Sequence, residues 1–341
     1  MALFRSKFEE KKELVYYGTA TNLSTGGYYL GATNIGNYAL FGGGIGRSRQ
    51  VDAYNTSLTK TNATSFTANK TNVCATTVGN YALFGGESDG TGDSSLKVFA
   101  YDTSLVQTLA PNTTARCGGI TSSTTLLKTY AMLHIIGSNY SSANQIEVYD
   151  TSLIKTIAPV LSTGRFNLAA TTVGNYALFG GGYDGTYRNN VDAYDMSLTR
   201  TSITPLSVGR ELLNATNVGN YTLFAGGIDS SRTRTNVVDA YDKSLVRTTI
   251  TPLSVSKSGL AATTLKNFAI FGGGEYIRSY DIYPDSSVDS YDASLTFSIS
   301  HSLVQPRKYL AATTVGNYAL FGGGQGSAGG YDNRVDVYTL A

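Results

Sequence analysis

A tight Gly-Asn-type turn followed by an aromatic-led apolar run recurs seven times along the 341 residues of this chain. The copies read GNYALFGGG (36–44), GNYALFGGE (79–87), KTYAMLHIIGS (128–138), GNYALFGGG (174–182), GNYTLFAGG (219–227), KNFAIFGGG (266–274) and GNYALFGGG (316–324). Their lead aromatics are Tyr38, Tyr81, Tyr130, Tyr176, Tyr221, Phe268 and Tyr318, spaced 43, 49, 46, 45, 47 and 50 residues apart. A period in that range on strand-forming sequence marks the blades of a propeller. The repeat therefore predicts an all-β chain, a seven-bladed β-propeller of four-stranded blades.

Residues 166–210 show how one copy builds a blade. LAATTV is a strand of small residues, suited to the crowded position nearest the ring axis. Gly174-Asn175 turns the chain, since both residue types tolerate positive φ. YALFGG is the second strand, and its glycines permit close approach of a neighbouring ring or backbone. A variable loop leads to VDAYD, the third strand, and SLTRTSITPL supplies a turn and an outer strand. A basic residue precedes the inner strand at Lys70, Arg116, Arg165, Arg210, Lys257 and Arg307. Asp is disfavoured inside strands, so the recurrent third-strand carboxylates are expected to accept hydrogen bonds from turns or from these basic residues. The ends of the chain complement each other. The last copy stops after a third strand, and LVYYGTATNLS (14–24) reads as the missing fourth. The expected organisation is an N-terminal extension, 1–13, and a propeller, 14–341, whose ring is closed by the N-terminal strand; closure leaves no open radial edge.

Composition narrows the function. With 26 basic and 24 acidic residues the net charge is +2, too small a field to steer nucleic acid binding. No apolar run approaches the roughly 20 residues of a membrane span, and MALFRSKFEEKKE lacks the apolar segment of a classical signal peptide. Two non-equivalent cysteines, Cys74 and Cys117, read as buried thiols, because free cysteine behaves as a small hydrophobe.

The order of inner strand, aromatic-led strand ending in Gly-Gly, variable loop and Tyr-Asp strand resembles the kelch repeat over about residues 14–341. Blade three departs from it, with LHIIGS in place of LFGGG. Kelch blades usually carry a tryptophan near the fourth strand and this chain has none; Leu58, Leu105, Leu153, Leu198, Leu245 and Leu295 are expected to fill that space. The threonine-rich wording looks like kelch arrays of bacteria and their phages. Galactose oxidase shares this propeller type, but the resemblance does not carry over its copper centre, which needs two histidines and a Tyr-Cys pair; His134 and His301, the only histidines here, stand at unrelated repeat positions.

Loops between second and third strands share one face with the connections from fourth to first strands. These loops differ in every blade and are rich in Tyr, Ser, Gly, Asn and Asp with scattered Arg, a paratope-like palette. The expected binding residues are Tyr183, Asp184, Tyr187 and Arg188; Tyr276, Arg278, Tyr280, Asp281 and Tyr283; and Tyr331, Asp332 and Arg334. Tyrosines beside carboxylates suit a glycan or a polar protein surface. No catalytic, metal or cofactor motif emerges, so the reading is a non-enzymatic module. Phe4 and Phe8, four residues apart among charged neighbours, would share one side of a helix and make 1–13 a docking peptide for a larger assembly. The expected setting is a virion or bacterial surface assembly. A cytoplasmic interaction scaffold, or a carbohydrate-active epimerase or lyase, is the alternative.

Overall fold

The structure is a computed structural model that describes residues 12–87, 96–117, 124–136 and 144–341. Its antiparallel sheets form a ring of seven four-stranded blades. In blade 4 the strands are Ala169–Val173, Tyr176–Gly180, Val191–Tyr194 and Arg200–Ile203, paired in sequence order. Val173 faces Tyr176 across a two-residue turn. Gly174 carries the positive φ (+57°) and Asn175 does not, so only the glycine's conformational freedom is used. Lys128 and Lys266 hold the same position at φ 51° and 53° in the two blades that lack the glycine.

Ring closure follows the expected pairing: Leu14–Ala20 lies antiparallel to Val335–Leu340, from Leu14 opposite Leu340 to Ala20 opposite Val335. The closing strand ends at Ala20 rather than residue 24. The following residues instead lock blade 1: Thr21 accepts the Tyr54 hydroxyl at 2.7 Å, and Ser24 donates twice to Asp52.

Blades pack on one another through the motif itself. A Cβ on Gly180 would stand 2.8 Å from the Phe224 ring of the next blade, and one on Gly322 would stand 2.7 Å from Phe41 across the closure. The glycines are thus sockets for the next blade's phenylalanine. Phe41, Phe179, Phe224 and Phe321 are fully buried. The expected leucines pack against these clusters, Leu198 beside Tyr194 for example. They do so from turns in which they adopt positive φ, 59° at Leu198, while the Asp195 carboxylate accepts the Ser197 and Thr199 amides.

Third-strand tyrosines and carboxylates serve the frame. Tyr54, Tyr101, Tyr149, Tyr194, Tyr241, Tyr291 and Tyr338 each donate their hydroxyl to a carbonyl at the end of the preceding blade, at 2.5–2.8 Å. Arg165 pairs with Asp192 and Arg210 with Asp239, each at 3.0 Å and fully buried. Lys257 reaches Asp289 at 3.5 Å, and Arg307 pairs with Asp336. Blades 1 and 2 depart from the pattern and compensate. Blade 1 has Gly27 at the basic position, and Arg47 from its loop fills the vacated space, where a Cβ on Gly27 would lie 2.7 Å from Arg47 Cγ. Arg47 then bonds Asp52 at 2.8 Å. Blade 2 has Phe99 where others have a carboxylate. There Lys70 Nζ lies 6.0 Å from the Phe99 ring centroid and donates to Gly86 O at 3.0 Å; burial, then Lys97, lowers its pKa to about 8.

The cysteine reading is corrected. Cys74, in the inner strand of blade 2, is disulfide-bonded, and no free cysteine stands among the described residues. Inner strands of neighbouring blades converge on the axis, so positions unrelated in the repeat come together there, which spacing within the repeat does not reveal.

Candidate functional site

The divergent loops and the fourth-to-first connections share one face of the ring, as the strand order requires. The closing strand begins at the opposite face. Leu14 pairs with Leu340 and Ala341 N bonds Glu13 O at 3.0 Å, so the closing strand starts where the last third strand ends, beside the turns. A groove of about 870 Å³ lies there, lined by Lys12, Lys266, Asn267, Asp292, Asn317 and Ala341 among others. Phe4 and Phe8 lie outside the described residues, as do most of the loops 87–97 and 138–145.

The binding residues named from sequence fall into three groups. In blade 4, Tyr183 and Tyr187 meet edge to face at 5.0 Å, and Phe166 backs Tyr183 at 5.6 Å. Asp184 takes two bonds from Arg188, at 2.8 and 2.7 Å. That hydrogen bonding, stronger than the opposing effect of partial burial, holds the Asp184 carboxyl below its ordinary range. In blade 7, Asp332 is bonded by Arg334 at 2.5 Å and approached by Arg307 at 3.5 Å. These charged residues brace their own loops; Tyr331 is 55% exposed, and Tyr183 and Tyr187 are half-buried.

The blade 6 segment read as a loop contains a hairpin, Glu275–Arg278 with Asp281–Pro284. Its turn residues Ser279 and Tyr280 have φ 52° and 72°, the positive-φ pair of a type I′ turn. Tyr280 is fully exposed at the tip, Tyr276 and Tyr283 lie across from each other, and Ile277 and Ile282 are solvent-exposed. An isolated hairpin is marginal in water, and this one is anchored at both feet. Glu275 accepts Lys308 at 2.8 Å, Tyr309 at 3.1 Å and Arg234. Burial raises its pKa, but the two cations hold the carboxyl below the ordinary range. Asp285 at the other foot bonds Lys257 at 3.2 Å and Ser287.

A second set of residues escaped the sequence reading. Between the repeat's basic position and the leucine or valine that follows, each described connection carries a different dipeptide: Tyr28-Tyr29, Thr71-Asn72, Phe166-Asn167, Glu211-Leu212, Ser258-Gly259 and Lys308-Tyr309. That divergence inside a constant frame was the available signal. The second member of each pair has φ between 46° and 61°. Backbone bonds link these residues from blade to blade around the axis: Leu212 N to Asn167 O, Gly259 N to Leu212 O, Tyr309 N to Gly259 O and Tyr29 N to Tyr309 O, all at 2.9–3.1 Å. The rim of the axial mouth is therefore stiff. Tyr28, Tyr29 and Tyr309 cluster on it with centroids 4.6 and 4.7 Å apart, and Tyr331 joins Tyr28 at 5.6 Å. Burial, then Tyr28, pushes the Tyr29 hydroxyl up to about 12. On blade 5, Glu211 accepts Asn167 Nδ2 at 2.8 Å; burial raises its pKa against that bond.

The ring and its two unlike faces define a seven-bladed β-propeller, constant on the turn face and divergent on the loop face. No family model and no curated protein matches the chain. Among solved structures, that of YjhT, a propeller, is similar over 94% of this chain and 96% of its own, with a TM-score of 0.61 at 12% identity. At that identity the likeness speaks to fold alone. His134 is buried in Tyr130–Ile136 of blade 3, and His301 stacks on Tyr16 at 4.5 Å beside blade 6. Among the described residues, no cluster of His, Cys, Asp and Glu could hold a metal ion, and no helix is long and apolar enough to cross a membrane.

Proposed function

We propose that the chain is a kelch-type, non-enzymatic recognition module, held to a larger assembly through residues 1–13 and binding a surface glycan or protein with its loop face. The setting that fits is a phage particle or a bacterial surface assembly. The observation that carries this reading is the polarity of the ring: the closing strand begins at Leu14 on the constant turn face, opposite the divergent tyrosine-rich one. A propeller tethered there presents its variable face outward. The anchored blade 6 hairpin and the internally paired Asp184–Arg188 and Asp332–Arg334 support it, because rigid aromatics lose little entropy on binding.

The test replaces Tyr183, Tyr187, Tyr276, Tyr280, Tyr283 and Tyr331 by Ser. Binding to an array of bacterial cell-surface polysaccharides, and to whole bacterial cells, is expected to vanish while the melting temperature stays close to that of the parent. Undiminished binding would remove this face from consideration.

A further inference from the structure

On the turn face each blade covers its neighbour. The residue after the Asp or Asn that ends a third strand stands on the Gly-Asn turn of the blade before it. A Cβ on Gly36 would lie 3.3 Å from Thr103, one on Gly79 3.0 Å from Thr151 and one on Gly174 3.2 Å from Lys243. The same holds for Gly219, 3.0 Å from Ala293, and for Gly316, 3.2 Å from Thr56 across the closure. Blade 7 lacks the covering turn. Its two outer strands come from opposite ends of the sequence, and Leu340 pairs directly with Leu14. Blade 6 therefore presents its turn, Lys266-Asn267, to a neighbour with no residue to set on it. The groove of about 870 Å³ lies at this junction, lined by Lys266, Asn267 and Phe268 of blade 6, by Leu340 of blade 7 and by Lys12.

We infer that residues 1–11 of this chain, which lie outside the described residues, fold back into the groove and take the place of the missing turn, with Phe8 seated against Phe268 and Leu340. The inference concerns the free chain and does not rest on the tether reading. Three observations choose this occupant. The first is position. Lys12 lines the groove, and Ala341 N bonds Glu13 O at 3.0 Å, so residue 11 is joined to the groove's own wall. Phe8 is four residues from Lys12, a reach of about 13 Å on an extended chain. A link that short makes docking intramolecular, at an effective concentration of roughly millimolar. The second is apolar surface. Phe268 and Leu340 are half-buried, packed on the core beneath and still partly open to the groove, while the segment MALFRSKFEEK carries Leu3, Phe4 and Phe8. Burying such surface is favourable in proportion to its area. The third is charge. Lys266 is exposed at the groove and makes no ion pair among the described residues, and Glu9 and Glu10 directly follow Phe8.

The experiment compares the full chain with a form lacking residues 2–11 and with Phe8→Ser. All three keep the closing strand Leu14–Ala20. Hydrogen–deuterium exchange over 266–268 and 339–341 should be at least tenfold faster in both variants, while the turns at Gly36, Gly79, Gly174, Gly219 and Gly316 exchange as in the parent. A synthetic peptide of residues 1–11 should restore protection to the truncated form, and the same peptide with Phe8→Ser should not. A short amine-reactive cross-linker should join Lys7 to Lys266 in the parent and fail to do so in Phe8→Ser. Mixing isotopically light and heavy protein shows whether that link lies within one chain, as expected. Equal exchange in the parent and the truncated form overturns the proposal. So does a Lys7–Lys266 link found only between light and heavy chains, which would make the groove a contact between copies.

Discussion

Replacing Arg210 by Leu isolates what the buried ion pairs contribute. Its guanidinium donates to Asp239 at 3.0 Å, to Phe224 O at 3.1 Å and to Val208 O at 3.3 Å, all inside the ring. Asp239 is equally committed: Ser207 donates from backbone and hydroxyl, and Arg247 and Thr249 each donate at 3.0 Å. Removing one partner of such a pair costs about 3–5 kcal/mol, because a charge is left buried. Arg247 remains on the carboxylate from a partly exposed position, so the lower end, about 3 kcal/mol, is expected. Lys should cost less, about 1–2 kcal/mol for the lost hydrogen bonds, since Lys257 fills the same position in blade 6. Burial raises the Asp239 pKa, but Arg210 and Ser207 hold it below the ordinary carboxylate value. Its contribution is therefore present above about pH 4 and is lost as pH falls through the folded pKa. Arg210→Leu should flatten that part of the acid limb. Urea unfolding of Arg210→Leu, Asp239→Leu and the double variant forms the assay. The double variant should be no less stable than Arg210→Leu alone; blade 2, with Phe99 beside Lys70, shows that the ring accepts loss of the carboxylate. A loss under about 1 kcal/mol for Arg210→Leu, or a double variant much worse than the single, would refute the stranded-charge argument.

Blade 6 carries a correctable defect: Asp289 Oδ1 is buried without a hydrogen-bond partner, and its cross-strand neighbour is exposed Ile299. Ile299→Thr places a hydroxyl where Thr249 serves Asp239 and should stabilise by about 0.5–1.5 kcal/mol; a lower melting temperature would contradict that register argument. The seven third-strand tyrosines all have hydroxyl pKa values raised, by burial first. Stability is then intact below about pH 10, where unfolded tyrosine begins to ionise, and falls above it; absorbance at 295 nm should show these tyrosines ionising only with unfolding, and a normal titration in the folded state would count against it. Deleting residues 1–20 removes the strand that pairs with Val335–Leu340 and exposes an edge. Aggregation or a clearly lower melting temperature is the expected result, and a truncated monomer as stable as the parent would mean the ring is not locked there.

Seven copies of one phrase determined the ring, the strand order and the closing partner, because a blade is a local hairpin assembly and each copy carries its own turn, small-residue strand and glycine sockets. The bonding of the basic residue to the third-strand carboxylate was legible for the same reason: residues that recur at two fixed positions meet in blades 4 to 7. Blade 1 shows the limit. Arg47 substitutes for the missing base at Gly27 from a different part of the repeat, and only the filled space reveals it. The loop tyrosines could be named from divergence, yet their sequence did not disclose that Asp184 and Asp332 are occupied by their own arginines, or that 275–284 is a braced hairpin. The rim of the axial mouth was half legible: the divergence of the dipeptides after the basic position is in the sequence, and their convergence is not. Glu211, Asn167, Tyr29 and Tyr309 are far apart in the chain, and closing the ring sets their connections around one axis, which no single copy reveals.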